Sequence, residues 1–365
     1  MILSVVIPQY KEDDHAVRRL LNTIDYQLNV NWDEVEVIIV NDHSDVILSD
    51  KMLNSFENIK PKYIKLEKNV GPGLARQAGL DAAQGEYVTF CDADDMYQNF
   101  GMFSLYLEEI RTKHPDIIQT QWIDEILADI PQQDGTTKKQ LVYMTHDFEA
   151  TWMHGKCFRK GYLTEKGIRF SDKLLYHEDS YILSCAFELT DKVVRAPVVS
   201  YVWTFDEHSI TRRNNGAYSY ESMPEFIRAI RYSIDWLKDK VPQKIPSKVV
   251  QLILYIYYMM QTNKQWEQKY VDPIEEELYT TLTQYEKEFN SLDMATFSAL
   301  DLQEHQKVAG RPFIMNETFS QWVNRIIVQR KPKEEVKAEP INLVNAESVK
   351  AAEEKIEEEV PSKEE

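Results

Sequence analysis

The first hundred residues alternate between short apolar runs and longer amphipathic segments. Four apolar runs have the length and composition of buried strands: Ser4–Pro8, Val35–Val40, Tyr63–Leu66 and Glu86–Cys91. A helix is predicted between the first two, with Asp14 available as N-cap, because four apolar residues recur at helical spacing: Val17, Leu20, Leu21 and Ile24. A second helix is predicted from about Gly73 to Gly85. This alternation predicts an α/β fold with a mixed, mostly parallel sheet and flanking helices.

The pattern changes in the second half of the chain. Asp116–Trp122 and Val198–Trp203 are predicted to be strands, whereas Glu221–Lys238 and Ser247–Trp266 have the length and periodicity of long helices. We therefore predict an α/β domain over residues 1–215 and a smaller helical domain over residues 216–330. Residues 331–365 contain six lysines, eleven glutamates and no aromatic residue, which predicts a disordered acidic tail.

Composition narrows the classes of protein and the compartment. The chain has 365 residues and a formal net charge of −18, which disfavours electrostatic binding to nucleic acid without excluding it. Its three cysteines lie in apolar stretches, as reduced core thiols do. The amino terminus lacks the features of a signal peptide, and the apolar run from Val249 to Met260 is too short to span a bilayer. These features predict a cytoplasmic protein without a transmembrane segment, and a peripheral place at the membrane stays open.

Three carboxylates follow the fourth predicted strand within four positions, in the segment Asp92-Ala93-Asp94-Asp95. Ligands of α/β sheets bind at the carboxyl ends of the strands, and carboxylates this close repel each other unless a cation lies between them. Hard oxygen donors suit Mg²⁺ or Mn²⁺, and such an ion can also bind a diphosphate. The alternative is a solvated acidic turn.

Four motifs occur in the order and register of one known family, over roughly residues 1–213: Ser4–Glu12, Val37–Ser44, Gly73–Asp81 and Asp92–Asp95. Together they resemble the family 2 glycosyltransferases of the GT-A fold, of the bacterial or phage type. Three positions depart from the family pattern: Lys11 stands where Asn is usual, Asn41 replaces an Asp, and His43 replaces a Gly.

The resemblance implies roles for individual residues at the donor site. A UDP-sugar would bind along the turn that contains Pro8, Tyr10 and Glu12. Asp42 would contact the nucleobase, because a carboxylate can accept a hydrogen bond from the imide N–H of uracil. Four further positions are implied at the nucleotide, its ribose or the metal: Arg76, Asp92, Ala93 and Asp94. Of these, Asp94 and Asp92 would be the metal ligands, and the cofactor would be Mn²⁺ or Mg²⁺.

A second acidic pair, Glu178-Asp179, opens a predicted helix over Ser180–Leu189. In bacterial members of the family a Glu-Asp pair at this place supplies the catalytic base, which implies that Asp179 removes the acceptor proton and that Glu178 contacts hydroxyl groups. A position in the first helical turn favours the ionised form of Asp179. The alternative is that both residues are ordinary helix N-terminal acids.

The segment Glu207–Arg213 resembles the family's loop beyond the base. His208 would complete the metal shell as a neutral imidazole, or it is a solvent-exposed histidine; Arg212 or Arg213 would neutralise the departing diphosphate. Three other histidines have no spacing typical of a metal site and are interpreted as structural or surface residues: His43, His146 and His154.

The sequence therefore predicts a metal-dependent, inverting glycosyltransferase that moves a sugar from a UDP-sugar to an acceptor hydroxyl. Two alternatives stay open: a nucleotidyltransferase, and a non-catalytic sugar- or partner-binding protein on the same scaffold. The acceptor is not predicted, and the classes left open are a glycan, a wall polymer, a lipid, a protein and a modified nucleobase.

Overall fold

The structure is a computed structural model, and it describes residues 1–132, 134–207, 209, 211–212, 218–262, 266–311, 313 and 317–329. Three features predicted from sequence lie outside the described residues: the roles of His208 and Arg213, the boundary between residues 215 and 216, and the acidic tail 331–365.

The amino-terminal part contains strands and helices in alternation. Its strands are β1 Leu3–Gln9, β2 Val35–Asn41, β3 Lys62–Lys65, β4 Tyr87–Phe90, β5 Met96–Tyr97, β6 Ile117–Pro131, β7 Thr137–His146, β8 Lys156–Arg159 and β9 Val193–Trp203. Its helices are α1 Asp14–Asp25, α2 Asp50–Leu53, α3 Pro72–Ala82, α4 Met102–Lys113, α5 Lys160–Lys166 and α6 Glu178–Glu188.

Within the described ranges these strands form one mixed sheet in the order β3-β2-β1-β4-β8-β6-β9-β5, and β7 pairs with β6. The strands β3, β2, β1 and β4 are parallel to one another, whereas β8 is antiparallel to both β4 and β6. Since β1, β2 and β4 are parallel neighbours, their carboxyl ends meet at one edge of the sheet.

Apolar residues on the two faces of the sheet pack against different helices. Val5 and Ile7 of β1 belong to a core shared with α1 and α4, while Val6 between them belongs to a second core with α3, α5 and α6. This division follows from the two-residue period of a strand, which directs successive side chains to opposite faces. The four periodic residues of α1 are all buried, as predicted: Val17, Leu20, Leu21 and Ile24.

The carboxyl-terminal part is helical. Its helices are α7 Tyr218–Glu221, α8 Met223–Leu237, α9 Ile245–Thr262, α10 Gln268–Gln284, α11 Glu286–Ser291, α12 Met294–Lys307 and α13 Phe319–Gln329. They surround a separate apolar core centred on α9. This part joins the α/β part through α6: the Ser184 and Ser233 hydroxyls are 2.8 Å apart, and Lys248 pairs with Glu188 at 2.8 Å.

The predicted class, an α/β sheet with flanking helices followed by a helical part, is confirmed. Sequence analysis missed β5, β7 and β8, and it ended the sixth strand at Trp122, although this strand continues to Pro131 as a hairpin with β7. The added residues include two buried acids, Asp124 and Glu125, and from Ile126 onward they alternate between intermediate and exposed positions, so they lack the apolar run that marks a buried strand. Across the residues described, no helix has the length and apolar character needed to cross a bilayer.

Candidate active site

The acidic residues predicted from sequence meet at the carboxyl ends of β1, β2 and β4. Glu12 follows β1, Asp42 follows β2, and Asp92 and Asp94 follow β4. Burial raises the pKa of Asp94 to about 7, and the neighbouring charges of Asp92 and Glu12 act in the same direction. Burial also raises the pKa of Glu12, with a further contribution from Asp92. The protein thus gathers negative charge here that its own cations do not fully neutralise.

Arg76 of α3 links two parts of this edge. Its guanidinium is buried and donates one hydrogen bond to Asp92 at 2.5 Å and another to Glu178 at 2.6 Å. Both carboxylates raise the pKa of Arg76, so it stays charged despite its burial. Arg76 thereby joins the acidic segment after β4 to the first turn of α6. Glu178 in that turn is 102 residues from Arg76 along the chain.

Gly73 permits the close approach of α3 and α6. A Cβ atom at this position would lie 2.7 Å from Cγ of Glu178, inside van der Waals contact. The glycine therefore leaves the space in which Glu178 reaches Arg76.

Asp179 is the second residue of α6. Its Oδ1 accepts a hydrogen bond from the backbone N–H of Ser180 at 2.7 Å. Burial, together with the adjacent carboxylate of Glu178, raises the pKa of Asp179 to about 7. The helix N-terminus was expected to favour the ionised form; desolvation by the surrounding protein and the charge of Glu178 outweigh this effect in the pKa of Asp179.

Asp42 holds the turn before α3. Its two carboxylate oxygens accept the backbone N–H groups of Val70 at 2.7 Å and of Gly71 at 2.8 Å. Gly71 has φ = +82°, a left-handed conformation that favours glycine. The contact of Asp42 with a nucleobase stays a prediction. The carboxylate oxygens have further lone pairs, which could accept a hydrogen bond from the base.

The other predicted donor-site residues lie along the same edge. Pro8 is half-buried in β1, Tyr10 is 43% exposed, and Glu12 accepts the backbone N–H of Tyr10 at 2.8 Å. Ala93 is buried with its methyl group in the core beneath the sheet, so only its backbone can face a ligand. Arg212 donates to Asp124 at 2.6 Å and to the carbonyl oxygen of Thr204 at 2.6 Å.

Asp95 was not among the site residues predicted from sequence. It is buried: one carboxylate oxygen accepts from the hydroxyl of Tyr201 at 2.5 Å, and the other accepts from the backbone N–H of Thr204 at 2.9 Å. These bonds fasten the end of β9 beside the acidic segment. Asp95 is visible in the sequence as the third acid of the run. Local pattern could not distinguish its role from the roles of Asp92 and Asp94.

His154 also belongs to the site. Ligand atoms of Asp92, Asp95 and His154 all lie within 4.8 Å of one another. The imidazole is buried, its Nδ1 has no hydrogen-bond partner among the described residues, and burial lowers the pKa of His154 to about 3, so it is neutral. Of the two interpretations of His154, structural or surface, its burial supports the structural one, since the rings of Trp122 and Tyr201 cover it. The metal set predicted from sequence, Asp92, Asp94 and His208, shares one residue with this group and stays a prediction.

Lys156 lies behind His154 at the start of β8 and is 1% exposed. Its ammonium donates to the carbonyl oxygens of Trp152 and His154. Burial lowers the pKa of Lys156 to about 7, and the nearby charge of Asp179 opposes this shift. A lysine here thus stabilises the segment before β8 and the ionised form of Asp179.

Known proteins resemble this chain in sequence and in fold. Residues 4–158 match the family model "Glycosyl transferase family 2". An uncharacterized glycosyltransferase of Haemophilus influenzae is 34% identical over 103 residues, which are 27% of this chain and 38% of that relative. YwdF of Bacillus subtilis, an uncharacterized glycosyltransferase, is 28% identical over 216 residues, which are 57% of this chain and 75% of that relative.

Among solved structures, S. aureus TarS 1-349 in complex with UDP-GlcNAc superimposes with a TM-score of 0.59 at 17% identity, over 87% of this chain and 100% of that one. The likeness establishes the fold. Of the three functions that the sequence left open, the family match supports glycosyl transfer. A glycosyltransferase family 2 domain therefore occupies residues 4–158, and the chain has the GT-A fold.

Proposed function

We propose that this protein transfers a sugar from a nucleoside-diphosphate donor, a UDP-sugar, to an acceptor hydroxyl with inversion at the anomeric carbon. The observation that carries the proposal is the buried guanidinium of Arg76, which holds Asp92 and Glu178 in one cluster. Asp179 follows Glu178 directly, so the residues proposed for the donor and for proton removal belong to a single site.

The donor set of this site fits a divalent cation. Asp92 and Asp94 offer hard carboxylate oxygens. The pKa of Asp94 is raised first by burial and then by the charges of Asp92 and Glu12, and a cation would relieve that repulsion. Asp94 and Asp92 would hold Mn²⁺ or Mg²⁺, and the buried, unpartnered Nδ1 of His154 lies close by. Such an ion, when bound, supplies positive charge to the donor's diphosphate.

Asp179 is the proposed general base. In the transfer step the acceptor oxygen bonds to the anomeric carbon while its proton passes to the carboxylate of Asp179. The bond from that carbon to the diphosphate oxygen breaks, and its electron pair leaves with the nucleoside diphosphate. Arg76 and Lys156 provide positive charge near Asp179, which supports the ionised form that a base requires.

The donor would lie along the edge formed by the ends of β1, β2 and β4, with its base at Asp42 and its diphosphate at Asp94. Arg212 would face the departing diphosphate from the segment after β9, in exchange for part of its pairing with Asp124. We infer a cytoplasmic place for the reaction, where nucleotide sugars serve as donors. The acceptor is treated below.

The test is a panel of UDP-, GDP- and dTDP-sugars with Mn²⁺, Mg²⁺ or EDTA, scored for release of the free nucleoside diphosphate. We expect release from one UDP-sugar that EDTA abolishes. Asp179→Asn should lower transfer by about 10²–10⁴-fold and leave the affinity for UDP nearly unchanged, because a base acts in the chemical step. Asp172→Asn, at an exposed acid of the preceding loop, is the matched control and should leave both unchanged. Release that persists in EDTA, or full transfer by Asp179→Asn, would refute the corresponding part of the proposal.

A further inference from the structure

Three aromatic rings form a stack beside the acidic cluster. The rings of Trp152 and His154 are nearly parallel, with centroids 6.0 Å apart and an interplanar angle of 10°. The His154 ring lies in turn on Tyr201, at 4.5 Å and 17°. Trp203 adds a fourth ring, whose centroid is 5.5 Å from that of Trp152 at an angle of 34°.

This stack reaches both halves of the proposed site. At one end the hydroxyl of Tyr201 donates to Asp95 of the acidic segment. At the other end the ammonium of Lys156 donates to the backbone carbonyl oxygen of Trp152. The charge of Asp179 raises the pKa of this lysine, against the lowering caused by burial. The hydroxyl of Ser180, the residue after Asp179, lies 3.5 Å from the backbone carbonyl oxygen of Thr151, the residue before Trp152. Trp152 is therefore at the end of the stack next to the turn that carries Asp179, where an acceptor has to be held during transfer.

The two outer indoles differ from an ordinary core tryptophan. Trp122 touches the same cluster and is only 2% exposed, whereas Trp152 and Trp203 are half-buried and pack on the core from outside. The guanidinium of Arg212 covers Trp203, 4.3 Å from its ring centroid. The exposed part of the Trp152 ring is thus an apolar surface within a site whose other groups are charged.

Such a surface selects a ligand of a particular chemistry. A pyranose ring presents an apolar face of C–H groups and a rim of hydroxyls, so it can lie on an indole while one hydroxyl points to a carboxylate. An acyl chain, by contrast, would find only one indole edge surrounded by charged groups.

We propose that Trp152, flanked by Trp203, forms the acceptor subsite and that the acceptor is a carbohydrate whose pyranose ring lies on the Trp152 indole. This inference rests on the function proposed above and narrows its acceptor to a sugar. The reacting hydroxyl of that ring gives its proton to Asp179 and its oxygen to the anomeric carbon of the donor.

The experiment compares Trp152→Ala, Trp152→Leu and Trp152→Phe with wild type, using UDP and a panel of methyl pyranosides and their disaccharides. Leu keeps apolar volume without an aromatic face, and Phe keeps the face. Trp32→Ala is the matched control: Trp32 is a half-buried indole on the same core, but it lies at the amino end of β2, the opposite edge of the sheet.

We expect Trp152→Ala and Trp152→Leu to raise the KM for the best pyranoside about tenfold, and Trp152→Phe to stay near wild type. The affinity for UDP should be unchanged in all of them. Melting temperatures check the fold, and the Leu and Phe variants keep the comparison valid if the Ala variant unfolds.

Three results would overturn the inference while leaving the proposed function intact. These are an unchanged KM for the pyranoside in the Leu variant, an equal effect of Trp32→Ala, and failure of every pyranoside to bind or react although the donor is bound and hydrolysed. Loss of UDP affinity in Trp152→Leu would place the ring on the donor side and also overturn it. Failure of the proposed function is distinct, since wild-type protein would then neither bind UDP nor hydrolyse any donor.

Discussion

Arg76 offers a direct test of how the cluster is held together. Replacement by Met keeps most of the side-chain volume and removes the charge from between Asp92 and Glu178. The carboxylate of Glu178 is only 9% exposed, whereas that of Asp92 is 35% exposed and can recover water. The cost of the substitution should therefore fall mainly on Glu178, left as a buried charge without its partner.

Breaking a buried ion pair by removing one partner costs about 3–5 kcal/mol. We expect Arg76→Met to lower the free energy of unfolding at pH 8 by about that amount. Loss of Arg76 also raises the pKa of Glu178, because the guanidinium lowers it in the native protein. The folded variant then binds a proton more tightly than the unfolded chain does, so its stability should recover as the pH falls from 8 toward 5.

The assay is urea denaturation at pH 8 and pH 5, with Arg169→Met as the control. Arg169 pairs with Asp81 at 2.8 Å, but the two side chains are 60% and 51% exposed, so its loss should cost at most about 1 kcal/mol at either pH. The double variant Arg76→Met with Glu178→Gln should regain part of the lost stability at pH 8. An effect of Arg76→Met as small as that of the control, or one that does not diminish at pH 5, would refute the reasoning.

Three further predictions concern the same cluster. The transfer rate of the wild type should rise with pH through about 7, because Asp179, whose pKa is raised to about 7, must lose its proton to act as base; a rate that is flat from pH 6 to pH 8 would contradict this. Asp94→Asn should raise the melting temperature more at pH 8 than at pH 5, because the pKa of Asp94, raised to about 7 in the folded protein, lowers stability as the pH rises from about 4 to 7. The same variant should lose the gain in UDP affinity that Mn²⁺ gives. Equal shifts of the melting temperature at both pH values would argue against the charge repulsion. Gly73→Ala should reduce transfer because its Cβ would displace Glu178, while Gly101→Ala, where the nearest atom is a side-chain oxygen 3.3 Å away, should not; similar rates for both variants would exclude the steric argument.

Local pattern predicted the framework of the site well. The strands β1, β2 and β4 are short apolar runs, and the acids after them are visible in the sequence as Glu12, Asp42 and the segment after Phe90. Parallel neighbouring strands end at one edge, so the pattern alone was sufficient to bring these acids together. The amphipathic period of α1 likewise identified its buried face.

Local pattern failed where a role depends on covering by distant residues. His154 has no informative spacing, yet it is buried against the rings of Trp122 and Tyr201, which are both distant in the chain. The β6 extension and β7 were missed for a related reason, since a hairpin exposed on both faces carries little apolar signal.

The sequence by itself determined the alternation of strands and helices around β1, β2 and β4, the resemblance to one family and the acidic residues at the strand ends, because these follow from periodicity and from residues adjacent in the chain. Tertiary structure alone decided that Arg76 joins Asp92 to Glu178, that Asp95 binds Tyr201 across 106 positions, and that the pKa of Asp179 is raised to about 7. The physical reason is that ion pairing and desolvation depend on which distant side chains displace water from a group, and chain-local pattern carries no information about that.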